Sequence, residues 1–566
     1  MDNYKFNIGP MLNAYPDSMG GNLSYIVRFL KNDKIKDAFQ SFYILPSVFN
    51  TDLDRGFSVI DYELNQVLAK KSDFDAMKEL GIAFKFDFIL NHASVLSPQF
   101  QDLLNRGEES IYKDFFINWN SFWASKGQMT SAGYIEPEKE FLDKMFFRKP
   151  GLPILSVRMP DGSEVPYWNT FYQKVYYTIP EVQDLIKTFN VQYSLAEYMI
   201  QQVNALLKRG QNLKELDLGH FNDYKAPFIE LLEKEQKYLG QMDLNIKEPL
   251  VWEFYEDTLK KLASYGASIV RLDAFAYASK EPGASNFFNE PGTWDLLEKV
   301  NQIANKYKLA LLPEIHSKYE DKTHEKVSEK GYMIYDFFLP GLIIDALENQ
   351  KSENLVQWGQ EIIEKEFKTV NMLGCHDGIP LLDLKGLLSD EEIEELIETV
   401  VSRGGYVKDL HGKKNMYYQV NATYYSALGE DVNKLLLARA IQLFMPGKPQ
   451  IWYLDFFAGK NNYRAVEEAG PGGHKEINRT NLSWDEVVQG LESELVQRQL
   501  KLIRFRNLFP AFTTEANIEI VSKGTHEFKI YWKTDNAEAS LHVDLLQTRF
   551  EIVAQKDEQM IDWEKI

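Results

Sequence analysis

The sequence predicts a parallel (β/α)8 barrel, interrupted twice and followed by a small antiparallel β domain. Three observations carry that expectation. Eight short apolar runs recur at 4–12, 39–46, 82–90, 268–275, 309–316, 333–340, 369–377 and 449–455, each ending in polar or Pro/Gly punctuation. Amphipathic helical segments such as 294–307 and 435–444 lie between several of them, the alternation expected of βαβ crossovers. Four of the runs also end in ionisable residues, and a parallel barrel delivers its strand ends to one rim.

The elements follow in order. A chain of 566 residues exceeds one ordinary domain, and 44% hydrophobic residues suffice for a large core. The barrel is expected over 1–92, 246–377 and 434–510. The interval 93–245 is too long for a simple crossover and reads as an excursion domain. Within it, Ser194 and Glu197 have capping-box spacing before a helix with Met199, Val203, Leu206 and Leu207 on one face. A second helix is expected over 227–239, the two forming a helical insertion at about 180–240. Their apolar stripes read as packing on the barrel or on each other. The interval 378–433 reads as a loop subdomain over the barrel mouth. Strand-like runs at 518–521, 528–532, 541–545 and 550–553 make up the C-terminal β domain of 511–566.

Charge and cysteine content narrow the function classes. Lys and Arg total 63 against 83 acidic residues, a net charge of −20 that argues against nucleic-acid or anionic-membrane partners. The one cysteine, Cys375, forms no intramolecular disulfide and no zinc site alone; between Gly374 and His376 it reads as a small buried filler. The first residues, Met1 to Phe6, lack the charged and apolar regions of a signal peptide, and no apolar run approaches membrane-spanning length. The expectation is a soluble cytoplasmic protein, with a homodimer left open.

The chemistry lies at the strand ends. Arg271 and Asp273 share one side of the fourth run, because strand side chains alternate faces with period two. Alone, that pair would read as a strand-end salt bridge. Asp87-x-x-x-Asn91-His92 closes the third run, Glu314-Ile315-His316 the fifth and His376-Asp377 the seventh. Clustered carboxylates suit a glycosidic transition state with oxocarbenium character, where one attacks the anomeric carbon and a protonated partner serves the leaving oxygen. Arg271 should keep Asp273 ionised, and a Glu at a crowded, desolvated rim can hold its proton near neutral pH. A metal fits poorly: HxH, HxxxH and HExxH spacings are absent and Arg271 would oppose a cation. No metal and no cofactor are expected.

Asp87-x-x-x-Asn91-His92, Arg271-Leu272-Asp273-Ala274, Glu314 after an apolar strand and His376-Asp377 together resemble the four signature regions of the α-amylase clan, glycoside hydrolase family 13. Asp54-Arg55-Gly56-Phe57, Ala276-Tyr277, Tyr418-Gln419-Val420-Asn421 and Ile477-Asn478-Arg479 narrow the resemblance to the sucrose phosphorylase branch, over nearly the whole chain except about 180–240. The resemblance implies a retaining double displacement with Asp273 as nucleophile, Glu314 as acid/base and Asp377 stabilising the transition state. It implies His92, Arg271, His316 and His376 around a donor glucose, Phe57 and Tyr277 as its walls, and Asp54 with Arg479 closing the far end. Tyr418 and Gln419 would lie on a loop that handles phosphate or acceptor. Asp87 reads as structural, holding the third strand and the Asn91-His92 turn.

Two positions depart from the family pattern. Met416 stands where the branch carries an aspartate that holds fructose, and a thioether is a weak acceptor for a sugar diol. In the basic-proline loop, Lys149 matches the family's phosphate-contacting arginine, beside Arg148; two cations suit phosphate or an anionic acceptor, or a solvated surface pair. The expected activity is α-glucoside phosphorolysis with inorganic phosphate, with sucrose as the expected donor, giving α-glucose 1-phosphate and fructose. Sucrose 6-phosphate, glucosylglycerol and glucosylglycerate remain alternatives, as do hydrolysis and transglucosylation.

Overall fold

Eight parallel strands, β1 (Met11–Ala14), β2 (Ser41–Ile44), β3 (Ala83–Ile89), β4 (Ala267–Asp273), β5 (Ala310–Pro313), β6 (Ile334–Asp336), β7 (Thr369–Asn371) and β8 (Lys448–Trp452), form one sheet. Their order is β5-β4-β3-β2-β1-β8-β7-β6, so the barrel is hydrogen-bonded all round except at the β5/β6 seam, where the two strands lie side by side. The computed structural model describes residues 7–409, 417–470 and 473–566, apart from positions 210, 212 and 235. Each of the eight apolar runs contributes a strand. The first strand begins at Met11, later than the run at 4–12 implied, because Pro10 has no N–H to give the ladder. The C-terminal half of the fourth run sets the site: Arg271 lies opposite Asp87 on β3, and Asp273 opposite Ile89.

Between β3 and β4 the chain builds an antiparallel sheet from His92–Ser94, Gln236–Asp243 and Gln173–Tyr177, with Asp243 paired to His92. The expected helix at 227–239 therefore ends early. It spans Lys225–Lys234, and the rest of that segment is strand, since pairing on both edges satisfies its backbone better than another helical turn. The preceding helix spans Tyr193–Lys208 and starts one residue before Ser194, whose hydroxyl is thereby inside the first turn and caps nothing. These helices and Val182–Phe189 pack on each other around Leu185, Met199, Val203, Phe228 and Leu232, a core separate from the barrel's.

At the C-terminus, β9 (Asn517–Ser522), β10 (Glu527–Lys533), β11 (Ala537–Asp544), β12 (Arg549–Lys556) and β13 (Gln559–Ile561) form an antiparallel meander, one strand more than the apolar runs indicated. It covers the helix Val432–Phe444, which is buried at every position from Leu435 onward; the Trp532 indole N–H donates to the Phe444 carbonyl at 2.7 Å. A helix apolar all round needs such cover on both sides.

The barrel and the excursion are cross-linked by a buried ammonium. Lys280 Nζ lies 2.7 Å from Asp243 Oδ2 and donates to Asn91 Oδ1 at 2.8 Å and to the Tyr277 carbonyl at 2.6 Å. Asp243 also accepts from Asn91 Nδ2 and from the Thr170 hydroxyl and amide. Lys280→Met keeps the stem's volume but leaves Asp243 a buried, uncompensated charge, a local cost of about 3–5 kcal/mol. The variant is expected to melt below the parent in a thermal scan followed by circular dichroism; an unchanged midpoint would refute the cross-link.

Candidate active site

A cavity of about 420 Å³ opens at the C-terminal rim of the barrel, and Asp273, Glu314 and Asp377 all line it. Three strand ends bring them together: Asp273 closes β4, Glu314 follows β5, and Asp377 lies on the loop after β7. Arg271 organises the first two from beneath. Its Nη1 is 2.8 Å from Asp273 Oδ1 and 2.5 Å from Asp87 Oδ1, and its Nη2 is 2.6 Å from Glu314 Oε1. Asp87 is fixed in turn by the Tyr43 hydroxyl, which donates to both its oxygens. Asp87 thus anchors Arg271 inside the barrel. The Asn91-His92 turn it was expected to hold depends instead on Asp243 and Lys280.

The charge state of the pair differs from the sequence expectation. Burial pushes the Glu314 carboxyl up, but the Arg271 guanidinium and the His316 imidazolium overcome it and hold the group at about 2. Asp273 is buried as well and is pushed well above the usual range, Arg271 opposing and Glu314 reinforcing the rise. Without substrate, burial and the neighbouring Glu314 favour the neutral form of Asp273, while Arg271 and His316 favour the anionic form of Glu314. Glu314, expected to keep its proton near neutral pH, is instead drawn towards its anion because Arg271 and His316 both reach it.

The histidines divide in two. His92 and His376 line the cavity, and burial holds both below the ordinary imidazole value. His92 Nε2 donates to the Phe57 carbonyl at 2.9 Å, and the His376 ring stacks on Phe57 at 4.9 Å. His316, expected around the same sugar, lies beside two residues of the cavity wall, Glu314 and Gln419, rather than in the wall itself. Its Nδ1 is captured by Asp383 at 2.9 Å, its Nε2 is 3.6 Å from Glu314, and its ring stacks on Phe337. Burial opposes its charge, yet Asp383 and Glu314 raise it to about 9. It lines a second cavity of about 470 Å³, which shares Arg148, Tyr277 and Glu314 with the first.

At the opposite end the first cavity is closed by charge. Arg479 Nη1 is 3.7 Å from Asp54 Oδ1, and Arg479 Nε donates to the His376 carbonyl at 2.8 Å. Asp54 and Arg55 both adopt φ near +50°, which costs an L residue roughly 1–2 kcal/mol each. Gly56 follows at φ +121°, where a Cβ would meet the Ser47 nitrogen at 2.3 Å. This strained turn aims the Asp54 carboxylate into the cavity. Arg271 and Arg479 act through the carboxylates they hold, their side chains only 4% and 2% exposed behind the wall.

The mouth carries the cations. Arg148 packs near the rings of Phe171 and Tyr277, at 5.6 and 5.9 Å. Lys149 Nζ donates to Asn169 Oδ1 and, at 2.9 Å, to Gln173 Oε1, and burial lowers its pKa to about 8. Both line the first cavity, so the reading as a solvated surface pair does not hold. Tyr277 forms part of its wall against Phe171 and Phe287, and Gln419 lines it too, 3.3 Å from His316. The Tyr418 backbone lies in the strand Tyr417–Asn421; its side chain and the whole of Met416 lie outside the described residues.

Lys475, Tyr172, Gln241 and Asn421 also line the cavity and were not singled out from the sequence, nor was Asp383. Lys475 adjoins the Ile477-Asn478-Arg479 motif and Asn421 belongs to the Tyr418-Gln419 motif, so proximity to known landmarks was the available signal. Away from the cavity, His324, Glu325 and Glu361 gather three potential metal-ligand atoms, but Lys365 and Lys322 already pair with both carboxylates.

No protein-family model matches the chain. It is 49% identical to the sucrose 6(F)-phosphate phosphorylase of Ilumatobacter coccineus over 97% of this chain and 96% of that one. It is 32% identical to the sucrose phosphorylase of Streptococcus mutans, over 90% and 89%. Among solved structures, the sucrose 6F-phosphate phosphorylase of Thermoanaerobacter thermosaccharolyticum superposes with a TM-score of 0.80 at 31% identity, covering 99% of this chain and 98% of that one.

Proposed function

Because this chain belongs to the sucrose phosphorylase branch of the α-amylase clan, we propose that its cavity catalyses phosphorolysis of a phosphorylated sucrose, releasing α-glucose 1-phosphate and a ketose phosphate. Three carboxylates in a cavity closed by charge at one end, with Arg148 on the wall it shares with the second cavity, carry the reading. In this reading a single glucosyl group lies between the closed end and Asp273. Its leaving group lies beyond Glu314, where the second cavity begins.

Asp273 attacks the anomeric carbon, Glu314 protonates the departing oxygen, and a β-glucosyl-enzyme forms. Phosphate then attacks the same carbon from the vacated side and regenerates Asp273. Asp377 draws the sugar hydroxyls together as positive charge develops. The first step needs the proton on Glu314 and the charge on Asp273. Glu314 gains the proton as Arg271 Nη2 gives way to the glycosidic oxygen as its partner, while Nη1 stays on Asp273. Arg148 supplies a guanidinium for the phosphate of the leaving group, and Lys149 a second cation beside it. An acceptor recognised through its phosphate has less need of the aspartate that Met416 replaces. The relatives named for sucrose 6(F)-phosphate at 49% and 33% identity favour the phosphorylated donor over sucrose itself.

The test is to incubate the protein with sucrose 6-phosphate and with sucrose, each with and without phosphate, and to measure glucose 1-phosphate and free glucose. Phosphate-dependent glucose 1-phosphate, formed faster from sucrose 6-phosphate, is expected. Free glucose irrespective of phosphate would establish hydrolysis instead. Arg148→Ala should raise KM for sucrose 6-phosphate about ten- to a hundredfold, the loss of one charge-assisted contact, and leave the slower reaction of sucrose nearly unchanged. An equal effect on both donors would remove Arg148 from phosphate recognition.

A further inference from the structure

Asp377 has an intimate partner that the reaction above does not use. Lys475, on the short helical turn Gly473–Asn478, places Nζ 2.7 Å from Asp377 Oδ1 and 3.9 Å from Asp54 Oδ2, and it lines the cavity. Arg479 Nη2 approaches the same Asp377 oxygen more loosely, at 3.6 Å, and His376 Nε2 faces the other oxygen at 3.0 Å. We infer that Lys475 is a positioning residue for the donor sugar: its ammonium fixes Asp377 as an oriented anion and, with Asp54 and Arg479, completes the charged wall against which one glucosyl group is read. The inference rests on the glucosyl-transfer reading proposed above and adds to it the group that orders the hydroxyl-binding end.

The geometry explains why a lysine serves there. A sugar hydroxyl both donates and accepts, so it can insert between an ammonium and a carboxylate and satisfy each. Such a hydroxyl is held by direction as well as by charge, and a ring that presents it differently loses both contacts. An exposed Lys–Asp pair would contribute little. Here the pair lies in a cavity wall, and the Arg55–Asp17 and Arg55–Glu476 contacts behind it brace the turn that carries Lys475. Burial alone would raise the Asp377 carboxyl; His376 and Lys475 reverse that and hold it well below the usual range. Asp377 also faces Asp273 and Glu314 across the cavity and Asp54, Tyr15 and Tyr172 at the closed end, and it loses its nearest cation with Lys475.

The experiment compares the parent with Lys475→Met and Lys475→Arg, using α-glucosyl fluoride as donor and inorganic phosphate as acceptor, so that recognition of the natural leaving group plays no part. Lys475→Met is expected to lower kcat/KM about ten- to a hundredfold, mostly through KM, as one charge-assisted contact requires. A depressed carboxylate loses its contribution as pH falls through its pKa, so raising that pKa moves the acid limb of kcat/KM towards neutrality in Lys475→Met. Lys475→Arg should bring back most of the activity and the original limb. A Lys475→Met enzyme with the parent's KM and superimposable acid limb would overturn the role of Lys475 alone. A loss in Lys475→Met and Lys475→Arg alike, with both acid limbs unmoved, would reduce Lys475 to a structural residue. A parent that transfers no glucosyl group from the fluoride would overturn both this inference and the proposed function.

Discussion

Asp273→Asn is expected to abolish turnover, lowering kcat by about 10⁴-fold or more, as loss of a covalent nucleophile does elsewhere. The substitution is nearly isosteric, and Arg271 retains Asp87 at 2.5 Å and Glu314 at 2.6 Å, so the rim should keep its arrangement. What disappears is the oxygen that bonds to the anomeric carbon. Two measurements separate this from a folding defect. The variant's thermal midpoint should match the parent's. In the absence of phosphate, intact-mass analysis after exposure to α-glucosyl fluoride should find the added glucosyl group on the parent and not on the variant. Phosphorolysis retained at more than about one per cent would refute Asp273 as the nucleophile.

The barrel and its carboxylates were legible because both depend on local pattern. An apolar run that ends in charge needs only a parallel barrel to meet its counterparts, and Arg271-x-Asp273 carries its own face assignment in its spacing. Features set by long-range pairing were harder to read. Residues 236–239 read as the end of a helix, and only the partners at 92–94 and 173–177 make 236–243 a strand. Ser194 and Glu197 have the spacing of a cap, yet in the folded insertion the helix starts two residues earlier than that cap implies, with Gln192 at its N-cap. His316 sits beside Glu314 in sequence, and nothing local announces that Asp383, far along the chain, captures its ring. The pull on the Glu314 proton was hidden for the same reason. Desolvation could be anticipated at a barrel rim, but the simultaneous reach of Arg271 and His316 is a three-dimensional fact. Lys475 lay two residues from a recognised motif, and only the folded turn aims it at Asp377.

Glu314→Gln should divide donors by their leaving groups. Sucrose 6-phosphate and sucrose require a proton on the departing oxygen, and removing a general acid costs about 10²–10⁴-fold. Fluoride leaves without that help, so α-glucosyl fluoride should lose far less in the variant, and phosphate should still collect the glucosyl group as α-glucose 1-phosphate. The pH profile offers an independent check. In the parent the productive pair holds one proton between Asp273 and Glu314, and it titrates as a unit. With Glu314 held near 2, the pair does not fill its second site until strongly acid solution. On the alkaline side, activity falls as the single proton is lost at the raised pKa of the pair. In Glu314→Gln no proton is needed on residue 314, and Asp273 is relieved of a neighbouring anion, so its pKa falls and the nucleophile is ionised over a wider range. The alkaline limb for α-glucosyl fluoride should therefore vanish in the variant while the parent keeps it for sucrose 6-phosphate. Equal losses on fluoride and sugar-phosphate donors, with the alkaline limb unmoved, would mean that Glu314 only orders the rim and that the proton reaches the leaving oxygen from another group, such as the His316 imidazolium, raised to about 9 and 3.6 Å from Glu314.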